Sequence, residues 1–111
     1  MLTIAGQDIV WIGRNIEELG KVDHVENKDM RICMVGLTKD MDLVCLAYRP
    51  GTGDFVVGRG MSFNWDADPP RAYWVGGVYD LTLGEALGEL EVAGLEAELW
   101  YSKEYMAYRG I

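Results

Sequence analysis

Four runs of this chain, "MRICMVG", "LVCLAYR", "FVVGRGMSF" and "AYWVGGVY", are apolar at most positions, and a short turn-forming segment separates each from the next. β-Branched and aromatic residues in stretches this short favour strands. The separators are "LTKDMD", then "PGTGD" with its proline and two glycines, then "NWDADPPR". Connections of this kind reverse the chain within a few residues, so consecutive runs should be antiparallel neighbours in a meander of about four strands. A strand with one wet face alternates apolar and polar residues, and "MRICMVG", "LVCLAY" and "FVV" do not. Either helices cover one face and a partner covers part of the other, or the second face is mixed, and some apolar area is expected to stay exposed.

A chain of 111 residues fits one domain, 1–111, and a domain of this size buries roughly 65% of its unfolded surface. With half of its residues apolar, it needs neither metal nor disulfide to fold. Cys33 and Cys45 sit inside "RICMVG" and "LVCLAY", without the second cysteine pair or histidine cluster of a zinc site. They read as buried free thiols, and no cofactor is expected. The segment "MLTIAGQDIVWIGRNIEELG" has no basic leader followed by an apolar run. No apolar stretch approaches the roughly 20 residues of a membrane span, so a cytoplasmic protein with no membrane partner is expected.

Helices should flank the strands. Ile9, Ile12, Ile16 and Leu19 recur at helical spacing ahead of Gly20, which suits a C-cap, so a helix is expected over residues 7–19. The alternative is a strand at "DIVWIG", where Ile, Val and Trp dominate. Farther on, Thr82 and Glu85 have the spacing of a capping box, which starts a helix at Leu83. Leu83, Leu87 and Leu90, with Ala86 and Ala93, give it one apolar stripe. Gly94 ends or kinks that helix, and Leu95, Leu99 and Met106 project at a different angle, suggesting a second helix over residues 95–108. The expected fold is α+β: an antiparallel sheet of about four strands, an N-terminal helix and one or two C-terminal helices.

Charge narrows the partners. Eighteen acidic residues against ten basic ones leave a net charge of -8, which disfavours direct binding to nucleic acid. Between Arg71 and Lys103 there is no basic residue, whereas Asp80, Glu85, Glu89, Glu91, Glu96 and Glu98 all fall there. Such carboxylates either form a solvated face or engage a basic groove as a nucleic-acid mimic would. Glu85, Glu89 and Glu96 share one stripe only if the helix runs through Gly94.

Catalytic constellations are not evident. His24 is the only histidine and lies in the polar segment "VDHVEN", far in sequence from any nucleophile elbow, so it reads as a surface histidine and not a base. Neither Ser62 nor Ser102 has the flanking glycines of G-x-S-x-G. The glycines of "PGTGDFVVGRG" are followed by no G-K-[ST], and Asp54 would repel phosphate. A non-enzymatic protein is expected. Aromatic residues are the other candidates. Trp65 lies in a polar loop beside Asp66 and Asp68, and Tyr73, Trp74 and Tyr79 lie on the next strand. Simple alternation would point Trp74 away from Tyr73, Val75 and Tyr79. Trp65, Asp66, Asp68 and Tyr73 are therefore candidate partner-binding residues beside Glu85, Glu89, Glu91, Glu96 and Glu98, with Arg59 and Arg71 close in sequence.

The order "FVVGRG", a tryptophan-containing loop and "YWVGGVYDLTLGEALGEL" resembles small orphan proteins of phages and plasmids. In these a "VV-G" strand precedes a "W-x-x-G-x-Y" strand and a "[LT]-x-E-A" helix. The likeness covers residues 55–90 and its motifs are structural. In size, acidity and absence of a catalytic constellation the chain is also similar to anti-CRISPR proteins, a class without a shared sequence signature, so no residue role is carried over. The resemblance implies a mobile-element inhibitor that binds a host defence protein, a Cas subunit or complex, and blocks its nucleic-acid binding. The alternative is a structural or assembly module that forms a homo-oligomer.

Overall fold

A computed structural model of the chain describes residues 3–4, 7–8, 23–24, 29–64, 66 and 71–110. The four apolar runs are strands: β4 is Arg31–Thr38, β5 Leu43–Arg49, β6 Asp54–Asn64 and β7 Arg71–Leu81. Each pairs antiparallel with the next, as the turn-rich separators require. Three short strands precede them, β1 (Thr3–Ile4), β2 (Gln7–Asp8) and β3 (Asp23–His24).

The expected N-terminal helix is not supported where it can be compared. Its first two residues, Gln7 and Asp8, pair with Ile4 and Thr3 as an antiparallel ladder, and the remainder lies outside the described residues. The C-terminal third carries a second correction. Helix α1 (Leu83–Val92) starts at the capping box, and Gly94 follows it at φ +85. Residues 95–101, expected to continue as helix, form strand β8 (Leu95–Tyr101), and only Lys103–Arg109 is helical, as α2. The sheet order is β3-β7-β6-β5-β4-β8. "LEAELWY" is rich in good helix formers, but β4 presents an unpaired edge that β8 satisfies along most of its length. Tertiary pairing outweighs local propensity here.

Both faces of the central strands are buried within the chain itself. On one face Val44, Leu46, Phe55 and Val57 pack against Ala86 and Leu90 of α1 and Tyr105 of α2. On the other, Ile32, Val35, Leu43 and Cys45 pack with Met61 and Ala72. This is why β4 and β5 are apolar without alternation: no partner is needed to explain it. The expected exposed apolar area exists elsewhere, with Val75 91% and Val92 77% exposed.

One local feature changes how the β6–β7 hairpin is read. Arg59 pairs with Glu89 of α1 at 3.9 Å and so faces the helices, yet Met61, two residues on, is buried on the opposite face. Between them Gly60 takes φ +64, a left-handed conformation that glycine adopts without strain and that shifts the pleat. A Cβ at Gly60 would stand 3.3 Å from the Val75 side chain, so the two strands kink together. The simple alternation expected for β7 fails for the same reason. Trp74 and Tyr79, expected on opposite faces, are joined by a bond from the Trp74 indole N–H to the Tyr79 hydroxyl oxygen at 3.2 Å.

Candidate functional site

The five candidate glutamates divide between two elements, three on α1 and two on β8, and their surroundings give them different roles. Thr82 is the N-cap of α1: its hydroxyl accepts from the Glu85 N–H at 3.2 Å, and its own N–H donates to the Glu85 carboxylate at 3.0 Å. The hydrogen bond from the Thr82 backbone, followed by that from its side chain, holds the Glu85 carboxyl below its ordinary range. Glu85 is exposed but already occupied in starting the helix. Glu89 faces Arg59, whose side chain is 45% exposed, so part of its charge is balanced on the surface.

Glu91 and Glu98 are brought together. Both line an open groove of about 490 Å³, together with Leu87, Leu90, Leu95, Gly84 and Gly88. Two register shifts between β8 and β4 put Glu98 on one face with Tyr101 and with Leu95. Met34 pairs with Tyr101 and Val35 with Trp100, but Gly36 pairs with Glu98; Leu37 pairs with Ala97, but Thr38 with Leu95. Residues paired across a ladder share a face, so Leu95, Glu98 and Tyr101 lie on the helix face with Thr38, Gly36 and Met34. Packing agrees: Leu95 and Tyr101 join the helix-side core, whereas Leu99 and Trp100 join the other. There Glu98 accepts a hydrogen bond from the Tyr101 hydroxyl. Glu96 is exposed on β8, and with Gly94 ending the helix it does not continue the stripe of Glu85 and Glu89.

The other candidates come from the β6–β7 hairpin and its connection in the sequence. Trp65 and Asp68 lie outside the described residues. Asp66 is exposed just beyond β6, its N–H donating to the Asn64 side-chain oxygen at 3.2 Å. Tyr73, 43% exposed, pairs with Ser62 near the start of β7. Helix α1 follows the opposite end of that strand and packs back on the sheet, where Glu89 meets Arg59, the ladder partner of Gly76, three residues from Tyr73.

A third cluster was not singled out from the sequence. Arg49 at the end of β5 donates to both carboxylate oxygens of Asp54 and, at 2.8 Å, to Asp80, while Thr52 also donates to Asp54. The Asp80 N–H donates to Asp54 at 3.0 Å, and Asp80 itself sits at φ +60. The Arg49 guanidinium lies 5.5 Å from the Tyr79 ring centre. The Arg49 hydrogen bond, reinforced by those from Thr52 and Asp80, holds the Asp54 carboxyl well below the usual carboxylate range. The cluster ties the β5–β6 turn to the end of β7. Its signal, an arginine and an aspartate flanking "PGTG", is visible in the sequence; its third member, Asp80, is not.

A second cavity, of about 260 Å³, is lined by Arg31, Ile32, Cys33, Tyr48, Ser102 and Glu104, among others. Burial pushes the Cys33 thiol up to about 12, and the Glu104 charge adds to this. Cys45 is likewise pushed up to about 12 by burial. Both cysteines are free and buried, as expected, and they belong to cores on opposite faces of the sheet. No described helix is long and apolar enough to cross a membrane.

Compared with known proteins, the chain matches no family model, no curated protein and no solved structure.

Proposed function

We propose that this chain is a non-enzymatic binding protein whose acidic α1–β8 surface occupies a basic, nucleic-acid-binding surface on a protein partner. The carrying observation is that Glu91, Glu96 and Glu98 reach the surface of two adjoining elements, in a stretch with no lysine or arginine from residue 72 to 102. Complementary charge speeds encounter and makes association sensitive to salt. The resemblance in type to anti-CRISPR proteins supplies the candidate class of partner, a Cas subunit or complex of the host, and the mechanism would be occlusion of its nucleic-acid channel. Glu85 and Glu89 are the weaker contributors, because a helix cap and Arg59 already engage them.

The test is capture of reconstituted Cas complexes on the tagged protein, eluted with a salt gradient and repeated with Glu91→Lys/Glu96→Lys. Release of one subunit at moderate salt, competition by nucleic acid and at least tenfold weaker capture by the variant are the expected results. Capture insensitive to both salt and charge reversal would overturn the reading. A second reading, an assembly module, is supported by Val75 and Tyr73, exposed at 91% and 43% on β7. Sedimentation of the purified protein separates the two, since a stable homo-oligomer favours the second.

A further inference from the structure

The α1–β8 groove combines features that a merely acidic surface lacks. Its lining combines apolar side chains, Leu87, Leu90 and Leu95, with charged groups that are carboxylate alone, Glu91 and Glu98. Its width comes from Gly84 and Gly88, one helical turn apart. A Cβ at Gly88 would meet nothing within 4 Å, and one at Gly84 only the Thr82 hydroxyl at 4.0 Å. A side chain with a long apolar stem and a cationic head matches this lining: the stem lies on the leucines while the head stays hydrated between carboxylates. Arginine adds a planar fork that carboxylates accept in pairs.

A second copy of the chain is a poor occupant. Antiparallel pairing of β8 with itself about its centre would set Glu98 opposite Glu98, a destabilising like-charge pair. The two register shifts and Glu96 further guard that strand against addition of another.

We propose that this groove receives an arginine or lysine side chain presented by a protein partner. The inference rests on the acidic-surface reading and sharpens it: the surface is a socket for individual basic side chains as well as a field of charge.

The probe is the blocked tripeptide acetyl-Gly-Arg-Gly-amide, titrated at low salt into the labelled full-length protein and followed by amide chemical shifts. Shifts should concentrate at Gly84, Gly88, Glu91 and Glu98, and acetyl-Gly-Gln-Gly-amide should leave them in place. Gly88→Leu fills the groove without meeting neighbouring atoms at its Cβ, and should abolish the shifts while the spectrum stays dispersed. Glu91→Gln and Glu98→Gln keep shape and should each weaken the peptide by up to about fivefold. Shifts spread evenly over Glu85, Glu89 and Glu96 and unaffected by Gly88→Leu would overturn the socket while leaving the acidic surface standing. Absence of any shift would overturn the socket as well, and capture of the Cas complexes then decides the broader reading on its own.

Discussion

At the scale of single residues, the sheet tolerates no extra atom at its centre. A Cβ at Gly58 would stand 2.6 Å from the Trp74 ring and 3.0 Å from the Cys45 sulfur, with both neighbours packed on the same face. Gly58→Ala should therefore cost about 1–3 kcal/mol in urea unfolding, the usual penalty for overpacking a core. Asp54 makes a different prediction. Its folded-state carboxyl is held below the unfolded value by Arg49, so its contribution is complete above the unfolded value, about pH 4. That contribution is lost as pH falls through the lower folded value. Asp54→Asn should lower stability at neutral pH and flatten the acid limb of a stability-against-pH curve. An unchanged acid limb would mean that the Arg49 pairing does not form in solution.

At the scale of elements, Thr82 shows how a local signal can be sufficient. Thr82→Ala removes the acceptor for the Glu85 N–H, and should cost about 1 kcal/mol in urea unfolding. It should also raise the Glu85 carboxyl toward its ordinary value in an NMR titration, because a hydrogen bond from the Thr82 side chain contributes to its lowering. The capping box and the four strands were legible because turns, caps and apolar runs act over neighbouring residues. Strand β8 was not, since Leu, Glu and Ala favour helix locally and only the distant edge of β4 selects the extended form. That Glu91 and Glu98 line one groove was hidden for a related reason. One register shift puts Glu98 on the face of Tyr101 and a second puts Leu95 there too, and no periodicity in "LEAELWY" announces them. Trp74 and Tyr79 escaped because the strand alternation that separated them breaks at the Gly60 kink.

At the scale of the whole molecule, the two-sided core gives the fold a pair of internal reporters. Cys33 belongs to the helix-side core and Cys45 to the other, each with its thiol pushed up to about 12. At pH 8 such a thiol carries about a thousandfold less thiolate than a free one of pKa ~8.5, so native protein should react with a thiol reagent far more slowly than unfolded chain. Mass spectrometry of the labelled sites should show both cysteines modified together if the faces open in one step. Earlier modification of Cys33 would mean that the helices lift from the sheet first. The kink at Gly60 has a consequence of another kind. The β6–β7 hairpin is written in two reading frames joined at that residue: one addresses its side chains to the helices, the next addresses them to the far face. Straightening the junction, so that alternation ran unbroken from Arg59, would merge the frames and send Met61 and Phe63 to the helix face, away from the core they now fill.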